Sequence, residues 1–228
     1  MSAYKIHRVL ARDHGISISV GRVYRLMRSM DLPKMSTDKP KHNYNRKADN
    51  SVCINHLNQQ FSQDAPNLVW VSDFTYIKAG GKWYYLCVVI DLFSRKVVSW
   101  HLSDKPDTAL VETAFRKAFD KRGMPKGLMF HSDRGTQYTS ESFRKLLDKF
   151  NVIQSFSKKG YPYDNAVCES FFKYFKREEA HRRCYHSKQE LFLAVFKYID
   201  GYYNSLRPHA SLGWLTPDQV EDNFYTEL

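Results

Sequence analysis

The sequence predicts an α/β domain built on a mixed sheet, preceded by a small helical segment. Three observations carry that prediction. Three segments rich in Val, Ile, Trp, Tyr and Phe follow one another between residues 68 and 102. Helical and strand-like patterns alternate after them. The first thirty or so residues instead repeat their apolar positions at helical spacing.

Taken in order, residues 3 to about 32 form two short helices. Ile6, Val9 and Leu10 mark the apolar face of the first. After the break at His14-Gly15, Val20, Val23, Tyr24, Met27 and Met30 mark that of the second. Arg22, Arg25 and Arg28 lie off that stripe, so the pair reads either as a helix-turn-helix DNA reader or as a plain helical hairpin with a solvated basic face. Residues 33–64 lose periodicity and carry Lys34, Lys39, Lys41, Arg46 and Lys47 among Pro, Asn, Ser and Asp, the pattern of a basic linker.

Residues 65–182 hold the main domain. Leu68 to Ile77, Trp83 to Asp91 and Arg95 to Leu102 read as strands, the first two joined as a hairpin through Gly80-Gly81. A helix over Asp107 to Arg122, an apolar run from Leu128 to His131, a helix over Ser140 to Phe150 and a strand over Val152 to Phe156 follow. The stretch from Asn165 to Tyr203 is largely helical, and residues 183–228 form a helical extension. Three antiparallel strands followed by alternating helices and strands are the order that a ribonuclease-H-like fold requires.

Composition narrows the function. The 228 residues include 35 Lys+Arg against 24 Asp+Glu, a net charge of +11, and a surplus of that size suits a polyanionic partner. Hydrophobic content of 43% belongs to a folded chain. Cys53, Cys87, Cys168 and Cys184 form no CxxC pair and read as unpaired thiols of a reducing compartment. No apolar run reaches the length of a membrane span, so a cytoplasmic protein with no membrane partner is expected.

Three acids sit where a surface ion pair explains them least. Asp73 interrupts the strand VWVSDFTYI, a position that β-propensity disfavours. Asp133 follows the apolar run LMFHSD directly, at the strand end where open α/β sheets place their crevices. Glu169 lies early in a helix on which Val167, Phe171, Tyr174 and Phe175 share one side, with Glu169, Lys173 and Lys176 on the other. Gathered carboxylates repel unless cations neutralise them. Two Mg²⁺ ions about 4 Å apart would activate an attacking oxygen and stabilise a leaving one, with Mn²⁺ able to substitute. Asp91 reads as structural, paired with Arg95.

WVSDFTYI around Asp73, HSDRGTQYTS around Asp133 and GYPYDNAVCESFFKYFKRE around Glu169 resemble the motifs of DDE transposases and retroviral-type integrases. Within them the chain resembles the OrfB transposase of the IS-three group of bacterial insertion sequences. Thirty-five residues separate Asp133 from Glu169, as in that family, and YYNSLRPHASLGWLTP resembles its C-terminal motif. YKIHRVL with RVYRLMR resembles the helix-turn-helix segment ahead of its catalytic core, so the likeness runs along nearly the whole chain.

The resemblance implies that Asp73, Asp133 and Glu169 are both catalytic residues and metal ligands. It also implies that Lys176, seven residues after Glu169, contacts DNA; Lys173 on the same helix and Arg22, Arg25 and Arg28 on the reader helix are further candidates for DNA contact. It implies DNA cleavage at insertion-sequence ends and 3′-OH strand transfer into target DNA. The enzyme would work as a homo-oligomer on double-stranded DNA, together with a protein from the upstream reading frame. Family chains usually begin some tens of residues earlier, so a truncated product is also expected. A nuclease that cuts without joining, or an inactive DNA-binding relic, are the alternatives. His131 and Asn165 fit either support of the metal ligands or a structural role. Gly160 suits a turn into the catalytic helix, and Arg207 and His209 suit packing of the tail rather than DNA contact.

Overall fold

A computed structural model describes residues 2–30 and 53–227. The basic stretch containing Lys34, Lys39, Lys41, Arg46 and Lys47 lies outside the described residues.

Two helices open the chain, α1 (Ala3–His14) and α2 (Val20–Ser29). The hydroxyls of Ser2 and Ser19 cap their first turns, and Gly15 ends α1 in the left-handed region at φ 62°. Of the apolar positions read as one face, only Val23 is buried, and Tyr24 and Met30 stand exposed. The reason lies in what packs on the pair: α1 docks on the C-terminal part of the chain. The Tyr4 ring meets Trp214 edge-on at 5.2 Å, Arg12 donates to the Trp214 carbonyl, and Lys5 lies over Tyr174.

The sheet contains β1 (Val69–Ala79), β2 (Lys82–Asp91), β3 (Val97–Ser103), β4 (Met129–Ser132) and β5 (Ile153–Phe156) in the order β3-β2-β1-β4-β5. The first three strands are antiparallel, and β4 and β5 run parallel to β1. Alternating side chains send Trp70, Cys87 and Val89 to one face. There they meet Leu110, Phe115 and Phe119 of α3 (Thr108–Lys121), Tyr138 of the single turn α4 (Thr136–Thr139), and Phe143 and Leu147 of α5 (Glu141–Lys149). Val71, Leu86, Val88 and Ile90 point the other way, onto α6 (Ala166–Phe175) and α7 (Lys188–Tyr198). Two cores on either side of one sheet give a three-layer sandwich. α8 (Pro217–Thr226) completes the chain, and its Glu221 accepts from Ser94, Lys96 and Arg122.

One pairing detail matters below. β4 pairs only with Val69, Trp70 and Val71 of β1, so among the described residues β1 has no strand partner on that side until Ala79 bridges to Tyr185.

The expected Asp91–Arg95 ion pair is not formed. Asp91 is fully buried and instead accepts N–H donors from Asn67, Trp70 and Phe93. Burial raises its pKa, and those donors restrain the rise. The expected apolar side of α6 also shifts: Cys168, Phe171, Phe172 and Phe175 are the buried residues, and Tyr174 is half-buried beneath cations. Two five-residue π-type turns, Lys176–Ala180 and Ile199–Tyr203, close α6 and α7.

Candidate active site

Asp73 sits in β1 two residues past the last pairing with β4, on the sheet face that α6 covers. Asp133 follows the final residue of β4, and Glu169 lies in the first turn of α6. The start of α6 is pinned to β1, because the Asn165 amide donates to the Ser72 carbonyl at 3.1 Å. Asn165 thus ties the helix to the residue beside Asp73, and Glu169 follows one turn later.

The charges confirm the proximity. Burial pushes the Asp73 carboxyl well above its ordinary pKa, and the negative charges of Asp133 and Glu169 push it further. Its own neighbour's N–H, from Phe74 at 2.8 Å, and the Lys176 ammonium act in the opposite direction. The fold therefore brings Asp73, Asp133, Glu169 and Lys176 into one electrostatic neighbourhood. Lys173 lies exposed on the same helix, and Arg22, Arg25 and Arg28 are exposed on α2.

Behind the acids the surroundings are neutral. The Ser72 hydroxyl bonds the Tyr138 hydroxyl at 2.9 Å, with the Cys87 thiol beside both. Burial raises Cys87 to about 12 and lifts Tyr138 and Cys168 well above their ordinary values, so none adds charge. Local pattern carries no sign of this network, because Ser72, Cys87 and Tyr138 belong to β1, β2 and α4.

Asp133 is oriented by the loop that follows it. The Gly135 N–H donates to Asp133 Oδ1 at 2.9 Å, and a Cβ on Gly135 would meet that same oxygen at 2.9 Å. Below it, buried His131 bonds Ser155 through Nδ1 and Ser157 through Nε2. Ser155 Oγ already accepts from the N–H groups of His56 and Leu57, so it donates to Nδ1 and leaves Nε2 to donate to Ser157. Burial holds the His131 pKa down at about 4, and the neutral ring braces β4 against β5. Asp164 accepts from Asn55, Gln59 and the Lys158 N–H, fastening the turn Pro162–Asn165 that leads into α6. Arg207 and His209 are buried in the tail, where Arg207 pairs with Glu178 at 3.0 Å.

The donor set is all oxygen and crowded with like charge, which fits hard divalent cations better than zinc. Among the described residues no group of three His, Cys, Asp or Glu stands at coordinating separation.

An integrase core domain family matches residues 63–162, and a second model of the integrase core domain matches residues 151–217. A transposase for insertion sequence element IS904 of Lactococcus lactis subsp. lactis (strain IL1403) is 41% identical over 96% of this chain and 86% of its own length. The chain belongs to the IS3-group DDE transposases. The InsF transposases of insertion sequence IS3 in Escherichia coli (strain K12) are 39% identical over 75% of the chain, which spans 59% of their length.

Two solved structures carry the same fold. The catalytic core of BIV integrase aligns over 71% of this chain and 98% of its own, with a TM-score of 0.52 at 18% identity. A simian T-cell lymphotropic virus intasome in complex with a PP2A regulatory subunit aligns over 96% of this chain and 74% of that chain, with a TM-score of 0.53 at 18% identity. The ribonuclease-H-like architecture of this transposase follows from those likenesses together with its own sheet order. The superfamily depends on divalent metal ions. No helix among the described residues is long and apolar enough to cross a membrane.

Proposed function

We propose that this transposase cleaves DNA at insertion-sequence ends and joins the freed 3′-OH to target DNA through Asp73, Asp133 and Glu169. The observation that carries the proposal is the shared electrostatics of the three acids. Asp73, already desolvated, is penalised further by both partners, an arrangement with no stabilising purpose until cations arrive. Asp73, Asp133 and Glu169 would hold two Mg²⁺ ions, or Mn²⁺, which supply activation of the attacking oxygen and stabilisation of the leaving oxygen.

The chain's own residues perform the remaining tasks. Gly135 fixes the rotamer of Asp133, and Asn165 fixes the position of α6 relative to β1. Lys176 stands where its ammonium meets a phosphate beside the acids, and Lys173 extends that contact along the helix. Water attacks the terminal phosphodiester first. That step breaks one bond and leaves a 5′-phosphate on the flanking strand; the released 3′-OH then attacks a second phosphodiester in a transesterification that forms one bond as it breaks another, so the joining requires no nucleotide hydrolysis.

Arg22, Arg25 and Arg28 on α2 are the proposed sequence reader, on the segment of residues 1–32, joined through the linker of residues 33–64 to the core of residues 65–182 and the extension of residues 183–228. Two DNA ends and a target must meet, so a homo-oligomer on DNA in the cytoplasm is part of the proposal, with the upstream-frame protein as a further partner.

The test is divalent-metal-dependent strand transfer on a labelled duplex carrying the element's terminal repeat, comparing wild type with Glu169→Gln. Joined product from wild type alone supports the proposal. Nicking without joining favours a nuclease, and binding without chemistry favours a relic.

A further inference from the structure

The hairpin of β1 and β2 extends past the end of β4 and carries rings where strands normally carry core residues. Tyr76 is 57% exposed and Trp83 51% exposed, and the two meet edge-on at 5.2 Å. Each has an ammonium over its face: Lys176 lies 5.4 Å from the Tyr76 centroid, and Lys78 lies 5.9 Å from that of Trp83. Beside them runs a groove of about 530 Å³ that follows the unpaired edge of β1 as far as the Ala79–Tyr185 bridge. Among the described residues no acidic side chain lines it. Arg183 also lines it, but that charge is taken up by Glu179, leaving Lys78 and Lys176 as its cations.

Aromatic residues exposed to this degree leave about half of their apolar surface in water. Flat rings alternating with cations along a channel suit a polyanion whose planar groups are free to stack, which is an unpaired nucleic-acid strand rather than a closed duplex. Lys176 joins the two regions, since its ammonium both feels the Asp73 carboxylate and covers the Tyr76 ring.

We propose that this groove binds the unpaired bases of a DNA strand opened beside the reacting phosphate, with Tyr76 and Trp83 as stacking platforms. The proposal rests on the reading of the chain as an enzyme of DNA ends. It gives the hairpin a task apart from the chemistry: holding one strand away while the other reaches the acids. Duplex DNA along its backbone, or a second copy of this chain, are the competing occupants.

The test uses fluorescence anisotropy at one fixed salt concentration, with a labelled oligothymidylate and a labelled blunt duplex as probes. Tyr76→Ala and Trp83→Ala are compared with Tyr76→Phe, Trp83→Phe and, as a distant control, Tyr225→Ala on α8. Each Ala variant is expected to weaken single-strand binding relative to duplex binding by roughly tenfold, and each Phe variant to restore it. The Tyr225 variant should behave as wild type. Equal losses on both probes, no loss on either, or Phe variants as weak as Ala would each overturn the proposal. Thermal melts of every variant exclude misfolding as the cause. If wild type joins DNA ends while the ratio stays flat, only the groove is refuted; if wild type neither binds nor joins DNA, the transposase chemistry itself fails.

Discussion

Arg207 donates through Nε to Glu178 at 3.0 Å while its guanidinium lies 4.0 Å from the centre of the Tyr174 ring. This contact locks the tail motif to the π-type turn that ends α6, in a site where Arg207 is only 2% exposed. A buried pair costs most when half of it is removed, because the survivor keeps its charge without compensation. Arg207→Leu should therefore lower unfolding free energy by about 3–5 kcal/mol. Urea denaturation measures it, and a loss under about 1 kcal/mol would mean that the pair is solvated in practice.

Gly135 is required for a reason of space rather than of backbone freedom. A methyl group there meets Asp133 Oδ1 at 2.9 Å and Gln137 Oε1 at 3.2 Å, so the Asp133 carboxylate has to give way. Gly135→Ala should fold with nearly native stability yet lose about tenfold or more in turnover, since a small misplacement of a reacting group is costly. A variant with normal melting and normal turnover would show that the Asp133 rotamer does not matter.

In metal-free buffer Asp73 should be a source of instability. Its folded pKa is raised, so the native state holds the proton longer than the unfolded chain does. Stability then falls as pH climbs from the ordinary carboxylate range towards the raised value, and the deficit persists above it. Asp73→Asn should melt higher than wild type at neutral pH in the presence of a chelator. Adding Mg²⁺ or Mn²⁺ should raise the wild-type melting temperature and leave the variant nearly unmoved, by mass action on the native state. Identical metal shifts in both proteins would remove Asp73 from the ligand set.

His131 carries the opposite sign. Burial holds its pKa at about 4 against an ordinary 6.5, so the unfolded chain binds the proton first. Stability should fall as pH drops from 6.5 to about 4, by about 3 kcal/mol in total, and flatten below that window. Burial and the nearby Arg207 hold His209 lower still, at about 3, and extend the decline. Denaturation curves across that range, with His131→Gln as comparison, should show the variant's slope reduced; parallel slopes would exclude His131.

The strands and the acids were legible because both follow from local pattern. Val, Ile and aromatic clusters marked β1 to β3 to within a few residues, and Asp73 was conspicuous as a carboxylate in a strand. What stayed hidden depends on residues distant in the chain. Asp91 found three N–H donors where a neighbouring Arg95 had seemed the natural partner. Tyr174 reads as core by helical spacing, but a buried arginine from the tail claims its face. Trp83 reads as an ordinary strand former, but the hairpin runs past the end of β4 and leaves it and Tyr76 exposed.

That shortness has a consequence for handling the protein. A strand with open N–H and C=O groups is a template for any other extended chain, including another copy of itself. Along β1 the guard against such pairing is the charge of Lys78, with Lys176 reaching over from α6. Salt that screens these charges should thus favour aggregation of the DNA-free enzyme, whereas a bound nucleic acid would act as a solubiliser by occupying the same edge.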